Sequence, residues 1–350
     1  MPRRLVRARR GFSATALTDA LLFLAGLVAI TFGADWLVTG SSRVAARMGV
    51  SPLVVGLTVV AFGTSAPELF VSSLAALRGQ PGLAIGNIMG STVANVGLIA
   101  GLGAMLRPID VKRRLLARES PLLILVLIIV MLLSWNDALG RLDGLALIAG
   151  FVIYLGVMLR MESGVAFGEG EGEEPDSGTS GRETPIGAAE SGETSGSGPD
   201  RTVALLWLRT VVGLVALLIG AHWLVVSAVA IARVFQVPEE VIGATMVALG
   251  TSIPELASTV AAAIRGLGDI AIGNIIGSNI FNLGLVLGTA ALLSPLRLPP
   301  EVVVRQVVPA LFFCALLIPL AYTGRRVNRA EGFLLLCLYG VFIYTVIWSV

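Results

Sequence analysis

The sequence predicts an all-α integral membrane protein of ten transmembrane helices, arranged as two inverted-topology five-helix repeats. Composition, the spacing of apolar runs and an internal repeat predict it. Of the 350 residues, 55% are hydrophobic and only 14% charged, with mean hydropathy +0.88, whereas soluble domains carry roughly 25% charged residues. Ten of the 23 acidic residues fall between Glu162 and Asp200, so the apolar remainder is poorer in charge than the average suggests.

Apolar segments are expected to span the bilayer at 16–40, 52–77, 82–106, 120–136, 142–160, 203–232, 238–264, 269–293, 302–322 and 331–349. Crossing a hydrocarbon core takes about 20 such residues. The basic start, Met1 to Arg10, precedes an apolar run too long for a signal peptide, which predicts an uncleaved first span. Residues 162–202 are rich in Gly, Ser, Glu and Pro and cannot bury a core, so they read as a disordered acidic linker. They separate a first five-helix repeat, 1–161, from a second, 203–350.

The halves are related in sequence. A shift of 187 residues aligns Gly33–Gly101 with Gly220–Gly288 without a gap, giving 33 identities in 69 positions. Gly63-Thr64-Ser65-Ala66-Pro67-Glu68 returns as Gly250-Thr251-Ser252-Ile253-Pro254-Glu255. Gly86-Asn87-Ile88-Met89-Gly90-Ser91 returns as Gly273-Asn274-Ile275-Ile276-Gly277-Ser278. Chance likeness between apolar helices explains shared Leu and Val, not shared Pro-Glu pairs. Five spans is an odd number, so the second half enters from the opposite side, an arrangement typical of secondary transporters with a midplane site. Loops on the linker side hold 15 basic residues, Arg209 counted among them, against five on the other side. The positive-inside rule then makes the linker cytoplasmic, against the vote of five arginines in the N-terminal tail. A multi-pass protein of the cell (inner) membrane is expected.

An intramembrane carboxylate is costly and marks function. Glu68 and Glu255 occupy matching places, each beside a proline. Pro67 and Pro254 remove a backbone donor and crowd the preceding turn, so both helices must bend there. The released carbonyls survive at membrane depth only where protein or a cavity satisfies them. With the hydroxyls of Thr64, Ser65, Thr251 and Ser252 they make an all-oxygen cluster, which suits hard cations. The single histidine, His222, and two cysteines, Cys314 and Cys337, offer nothing to a softer metal; the cysteines read as small buried hydrophobes. Asn87, Ser91 and Asn95 share one helix face, as do Asn274, Ser278 and Asn282, and both trios are expected to complete the ion shell. Asp35 aligns with His222, which reads as a polar residue near a sliding-helix end rather than a pH sensor.

Together, Gly-Thr-Ser-x-Pro-Glu and Gly-Asn-x-x-Gly-Ser, each present twice, resemble the alpha repeats of the sodium/calcium exchanger family in the cation/calcium antiporter superfamily. The resemblance implies a secondary antiporter exchanging Na⁺ for Ca²⁺ by alternating access, with three Na⁺ per Ca²⁺ and no cofactor. It also implies that spans 1 and 6 slide across a core of spans 2, 3, 7 and 8. Calcium would lie on Glu68, Glu255 and the carbonyls of Thr64 and Thr251. Sodium would use the carbonyls of Ala61 and Ala248 and the hydroxyls of Ser65, Ser252, Ser91 and Ser278, with Asn95 and Asn282 central. Some relatives carry Asp at the last position, so Asn282 speaks against potassium coupling. Calcium/proton relatives show Gly-Asn-x-x-Glu around the glutamate, which makes proton coupling the alternative. An ion channel fits an inverted repeat poorly, and an enzyme such as an intramembrane hydrolase lacks its machinery. A net charge of +2 speaks for no nucleic acid, and no obligate protein partner is implied.

Overall fold

The computed structural model describes residues 2–111, 115–167, 199–234, 248–322 and 324–348. Proline and short polar residues set many of the helix starts. The chain opens with α1 (Pro2–Met48). The next helix, α2 (Pro52–Thr64), starts on the Ser51 hydroxyl, which accepts from Val54 N at 3.4 Å, with Pro52 where no donor is needed. It bends by 46° into α3 (Ala66–Leu77). Then come α4 (Pro81–Leu106), α5 (Ser120–Leu133) and α6 (Arg141–Phe167).

The second half holds α7 (Pro199–Val234), α8 (Ala248–Thr251), α9 (Ile253–Ile264), α10 (Gly268–Leu293), α11 (Pro300–Leu320) and α12 (Arg329–Trp348). A reciprocal capping box starts α12: Asn328 Oδ1 accepts from Glu331 N at 3.0 Å, and Glu331 Oε2 from Asn328 N at 2.8 Å.

By length and composition, seven of the described helices can cross a membrane, or eight if α2 and α3 are one bent span. Two of the ten expected spans are not among them. Over 120–136, α5 has 14 residues, extended at its start by a wide helical turn, Leu115–Glu119. Of 238–264, residues 238–247 lie outside the described residues, leaving α8 and α9. The expected linker is shorter at both ends than composition suggested. The helices on either side run to Phe167 and from Pro199. Residues 168–198 lie outside the described residues. Cys314 is buried, but Cys337 is exposed on the outer face of α12, where its thiol serves as lipid-compatible surface rather than core.

The centre belongs to α4 and α10, with 78% and 94% of their spanning residues buried. The other five helices long enough to span alone have only 17–33% of these residues buried, as expected of helices facing lipid. Glycine makes the inner crossings close. A Cβ on Gly273 of α10 would sit 2.8 Å from the Leu53 carbonyl of α2, so any side chain there would separate the two helices. Along the edge, α1 and α7 run together: a Cβ on Gly33 would meet Leu217 N at 2.5 Å, and one on Gly213 would meet Leu37 N at 2.5 Å.

Two small ladders tie the halves together. β1 (Ile109–Asp110) pairs antiparallel with β4 (Arg326–Val327), and β2 (Ala138–Leu139) with β3 (Leu296–Arg297). The repeat shift carries β1 onto β3 and places β2 within one residue of β4. Each ladder is therefore the counterpart of the other with the halves exchanged.

Candidate cation-binding site

Both glutamates sit in the first turn of a helix that starts after a break. At Ser65 and Ser252 the backbone leaves the helical region (φ −85°, ψ 7° and φ −90°, ψ 4°), and Pro67 and Pro254 follow within the first turn of α3 and α9. The bends expected from the prolines are present at the expected places. Glu68 and Glu255 are at most 2% exposed, and Thr64, Ser65, Ser91, Asn95, Ser278 and Asn282 are buried with them. Helix N-termini direct their partial positive charge at these carboxylates.

The contacts cross between the halves. Ser65 donates to Glu255 Oε1 at 2.7 Å, and Ser252 donates to Glu68 Oε1 at 3.3 Å. Ser91 adds a second donor to Glu68 Oε1 at 3.4 Å, and Ser252 also lies 3.0 Å from Ser91 Oγ. Each carboxylate is thus oriented by the serine at the other half's helix break. A second crossed set lies beside the first: Thr64 donates to Asn274 Oδ1 at 3.2 Å, and Thr251 to Asn87 Oδ1 at 3.1 Å.

In that second set the amides of Asn87 and Asn274, both expected in the ion shell, are also turned to neighbouring hydroxyls. Asn87 Nδ2 donates to Ser72 at 3.0 Å, and Asn274 Nδ2 to Ser258 at 3.0 Å and Thr259 at 2.9 Å. The hydroxyls of Thr64 and Thr251 donate to the same amides. Ala61 is buried one turn before the break and its carbonyl accepts from Ser65 N at 3.0 Å, while Ala248 opens α8 at the matching place.

A different group of atoms has no partner among the described residues. Glu68 Oε2, Glu255 Oε2, Asn95 Oδ1, Asn282 Oδ1, Asn282 Nδ2 and Ser278 Oγ are all buried without a hydrogen bond. Leaving such groups bare costs about 1–3 kcal/mol each, and more when charged. Five of these atoms are oxygens, two of them on carboxylates, which is the donor chemistry of hard cations rather than of soft metals. Among the described residues no three His, Cys, Asp or Glu come together, so the charge of the set is that of two carboxylates. Where α4 and α10 reach Asn95 and Asn282, both widen to i→i+5 hydrogen bonding, over Asn95–Ala100 and Asn282–Val286. Such turns recur at functional sites.

One residue escaped the sequence reading. Asn279 on α10 accepts from Asn95 Nδ2 at 2.8 Å and so fixes which end of the Asn95 amide faces the cluster. Its repeat counterpart is Thr92, whose hydroxyl donates at 2.9 Å to Ile88 O within its own helix. The only signal was the mismatch itself, a polar residue inside the strongest block of the repeat.

Comparison with known proteins shows the family. The profile of the sodium/calcium exchanger protein family matches residues 18–160 and 205–348. The chain is 32% identical over 347 residues to sodium/calcium exchanger MaX1 of Methanosarcina acetivorans, covering 92% of this chain and 97% of that protein. It is 37% identical over 284 residues to inner membrane protein YrbG of Escherichia coli, covering 81% and 82%. Among solved structures, the sodium-calcium exchanger NCX_Mj soaked without Na⁺ and Ca²⁺ superimposes with a TM-score of 0.78 at 31% identity, over 95% of this chain and 99% of that one. With a matching profile on both halves and relatives aligned along nearly their whole length, the chain is a multi-pass membrane protein that belongs to the sodium/calcium exchanger family.

Proposed function

We propose that this protein is an Na⁺/Ca²⁺ antiporter whose single site, formed by Glu68 and Glu255, serves both ions by alternating access. The observation that carries the reading is the crossed pairing of carboxylates and serines, Ser65 with Glu255 and Ser252 with Glu68. Neither half holds a complete site. A cation bound there links the two halves, so binding and the relative movement of the halves are coupled.

In this reading the chain forms ten spans in two inverted repeats, consistent with the gapless sequence repeat and the exchanged strand ladders. Glu68, Glu255 and the carbonyls of Thr64 and Thr251 hold Ca²⁺. The carbonyls of Ala61 and Ala248 and the hydroxyls of Ser65, Ser252, Ser91 and Ser278 serve Na⁺, with Asn95 and Asn282 between them. The linker faces the cytoplasm of a cell (inner) membrane protein. Two carboxylates balance one Ca²⁺, and ions that need the same carboxylates exclude one another, which obliges exchange. With neutral Asn95 and Asn282 at the centre, three Na⁺ exceed the site charge by one, so the cycle moves one net charge.

The test is ⁴⁵Ca²⁺ uptake into proteoliposomes loaded with sodium, at potentials clamped with valinomycin. A potential of 100 mV acts on one charge with about 2.3 kcal/mol, roughly fiftyfold in the equilibrium. Uptake that follows both the sodium gradient and the voltage is expected. Uptake indifferent to voltage would remove the 3:1 stoichiometry. Uptake driven by a pH gradient alone would replace sodium with protons.

A further inference from the structure

The fold brings together three charges that take no part in the site. Asp35, midway along the spanning part of α1, pairs with Arg265 at the C-terminal cap of α9 and lies 3.9 Å from Arg209 of α7. Arg209 is thus not a loop residue, as its count among the loop charges assumed; it sits inside a helix beside an acid. The last turn of α9 is held from the other side as well, since Arg107 donates to the Ile264 carbonyl at 3.0 Å. Arg265 is therefore presented to α1 from a fixed turn, and α9 is the helix that begins at Glu255.

The repeat supplies a comparison. Shifted by 187 residues, Asp35 becomes His222, Arg265 becomes Arg78 and Arg209 becomes Leu22. Arg78 caps α3, the helix of Glu68, just as Arg265 caps α9. The counterpart of an acid between two arginines is thus a histidine, an arginine and a leucine, with no attraction among them. Packing follows the charges. α1 lies along α9, whereas α7 makes no comparable contact with α3 among the described residues, and Arg78 has no ion pair there.

We propose that Asp35 and Arg265, supported by Arg209, form a one-sided latch that holds α1 on α9 and favours the arrangement closed on the linker face. In an inverted repeat, the opposite-facing arrangement is approached when the halves exchange roles. α1 then leaves α9, and α7 closes on α3, where His222 and Arg78 offer no matching bond. The latch makes two otherwise equivalent arrangements unequal. It rests on the alternating-access reading above and adds the residues that decide which face is preferred at rest. The three side chains are between 28% and 42% exposed, so solvent weakens the pair, and its effect on the equilibrium is about two- to fivefold.

The test is hydrogen exchange, read by mass spectrometry on the full-length protein in nanodiscs without Na⁺ and Ca²⁺, with ⁴⁵Ca²⁺ uptake measured in parallel. Asp35→Asn and Arg265→Gln should each raise exchange at the C-terminal turn of α9 by about two- to fivefold. The double variant should go no further than either single one. His222→Asp, which offers Arg78 an acid, should shift the same segment in the same direction without removing any existing bond, and Arg78→Gln should cancel that gain. Unchanged exchange in both single variants, or additive effects in the double variant, would overturn the latch. Sodium-driven uptake with unshifted exchange would discard the latch and leave the antiport reading intact. Shifted exchange in a protein that transports no calcium would do the reverse.

Discussion

The two halves of the molecule place the same residues at the same positions but do not treat them alike. Glu68 has two serine donors, Ser252 and Ser91, whereas Glu255 has one, Ser65. Asn95 is tied down by Asn279, while Asn282 has neither its oxygen nor its nitrogen paired among the described residues. Ser91 is bonded to its carboxylate, and its counterpart Ser278 is not. The comparison separates two requirements. The coordinating skeleton (break, proline, glutamate) is needed from both sides, so the repeat keeps it. The groups that orient the ligands can differ, and they divide the site into a braced side around Asn95 and a freer side around Asn282. A site that must accept one divalent ion or several monovalent ones gains from having both.

The largest effects should come from breaking what the halves share. Glu68→Gln and Glu255→Gln each keep shape and lose charge, and each should lower calcium exchange by about two orders of magnitude or more, since ligand charge sets affinity for hard cations. Reconstituted ⁴⁵Ca²⁺ uptake, with membrane insertion checked by gel filtration, measures this, and near-normal uptake by either variant would end the assignment. The next effect discriminates between the halves. Ser65→Ala strips Glu255 of its only serine donor, and hydrogen bonds to charged groups contribute about 1.5–3 kcal/mol. Half-saturation by calcium should rise at least about tenfold. Ser252→Ala leaves Ser91 on Glu68 and should cost only about threefold. Equal effects would show that the difference in bracing has no energetic weight.

Much of this could be read in the sequence, for identifiable reasons. The repeat, the two Pro-Glu breaks and the burial of the site residues follow from local rules: a proline must bend a helix wherever it sits, and a membrane carboxylate must be inside. What failed to show were relations between distant residues that no local rule links. Asn87 and Ser91 share a helix face, so both were assigned to the ions. The structure also turns Asn87 to Ser72 and Thr251, a link that only a view across the bundle reveals. Asp35 and Arg265 are far apart in the chain, and the arginine read as one more positive charge on the linker side. Asn279 was missed because a repeat draws attention to matches, while its meaning lies in a mismatch. The shortness of α5 was hidden by an apolar composition that does not record where a helix stops.

That mismatch gives the most specific prediction. Asn279→Thr would make the second half imitate the first, because Thr92 satisfies its hydroxyl on its own helix at Ile88 O. A threonine at 279 would do the same, so the new side chain brings no unsatisfied group of its own, and the fold should hold. Asn95 would lose its only hydrogen bond among the described residues, and its amide could turn its nitrogen, a donor, toward the ions. One lost neutral hydrogen bond is worth about 1 kcal/mol, or roughly fivefold. Half-saturation by both calcium and sodium should therefore rise about fivefold, with maximal exchange and the melting temperature close to those of the parent. Asn279→Gln should fail to restore affinity, since its extra methylene pushes the carbonyl out of line with Asn95. A fall in maximal rate and melting temperature at unchanged affinity would mean that Asn279 only packs against Cys314 and its neighbours. If neither affinity nor stability moved, Asn95 would need no anchor, and the braced side of the site would be no more fixed than the free one.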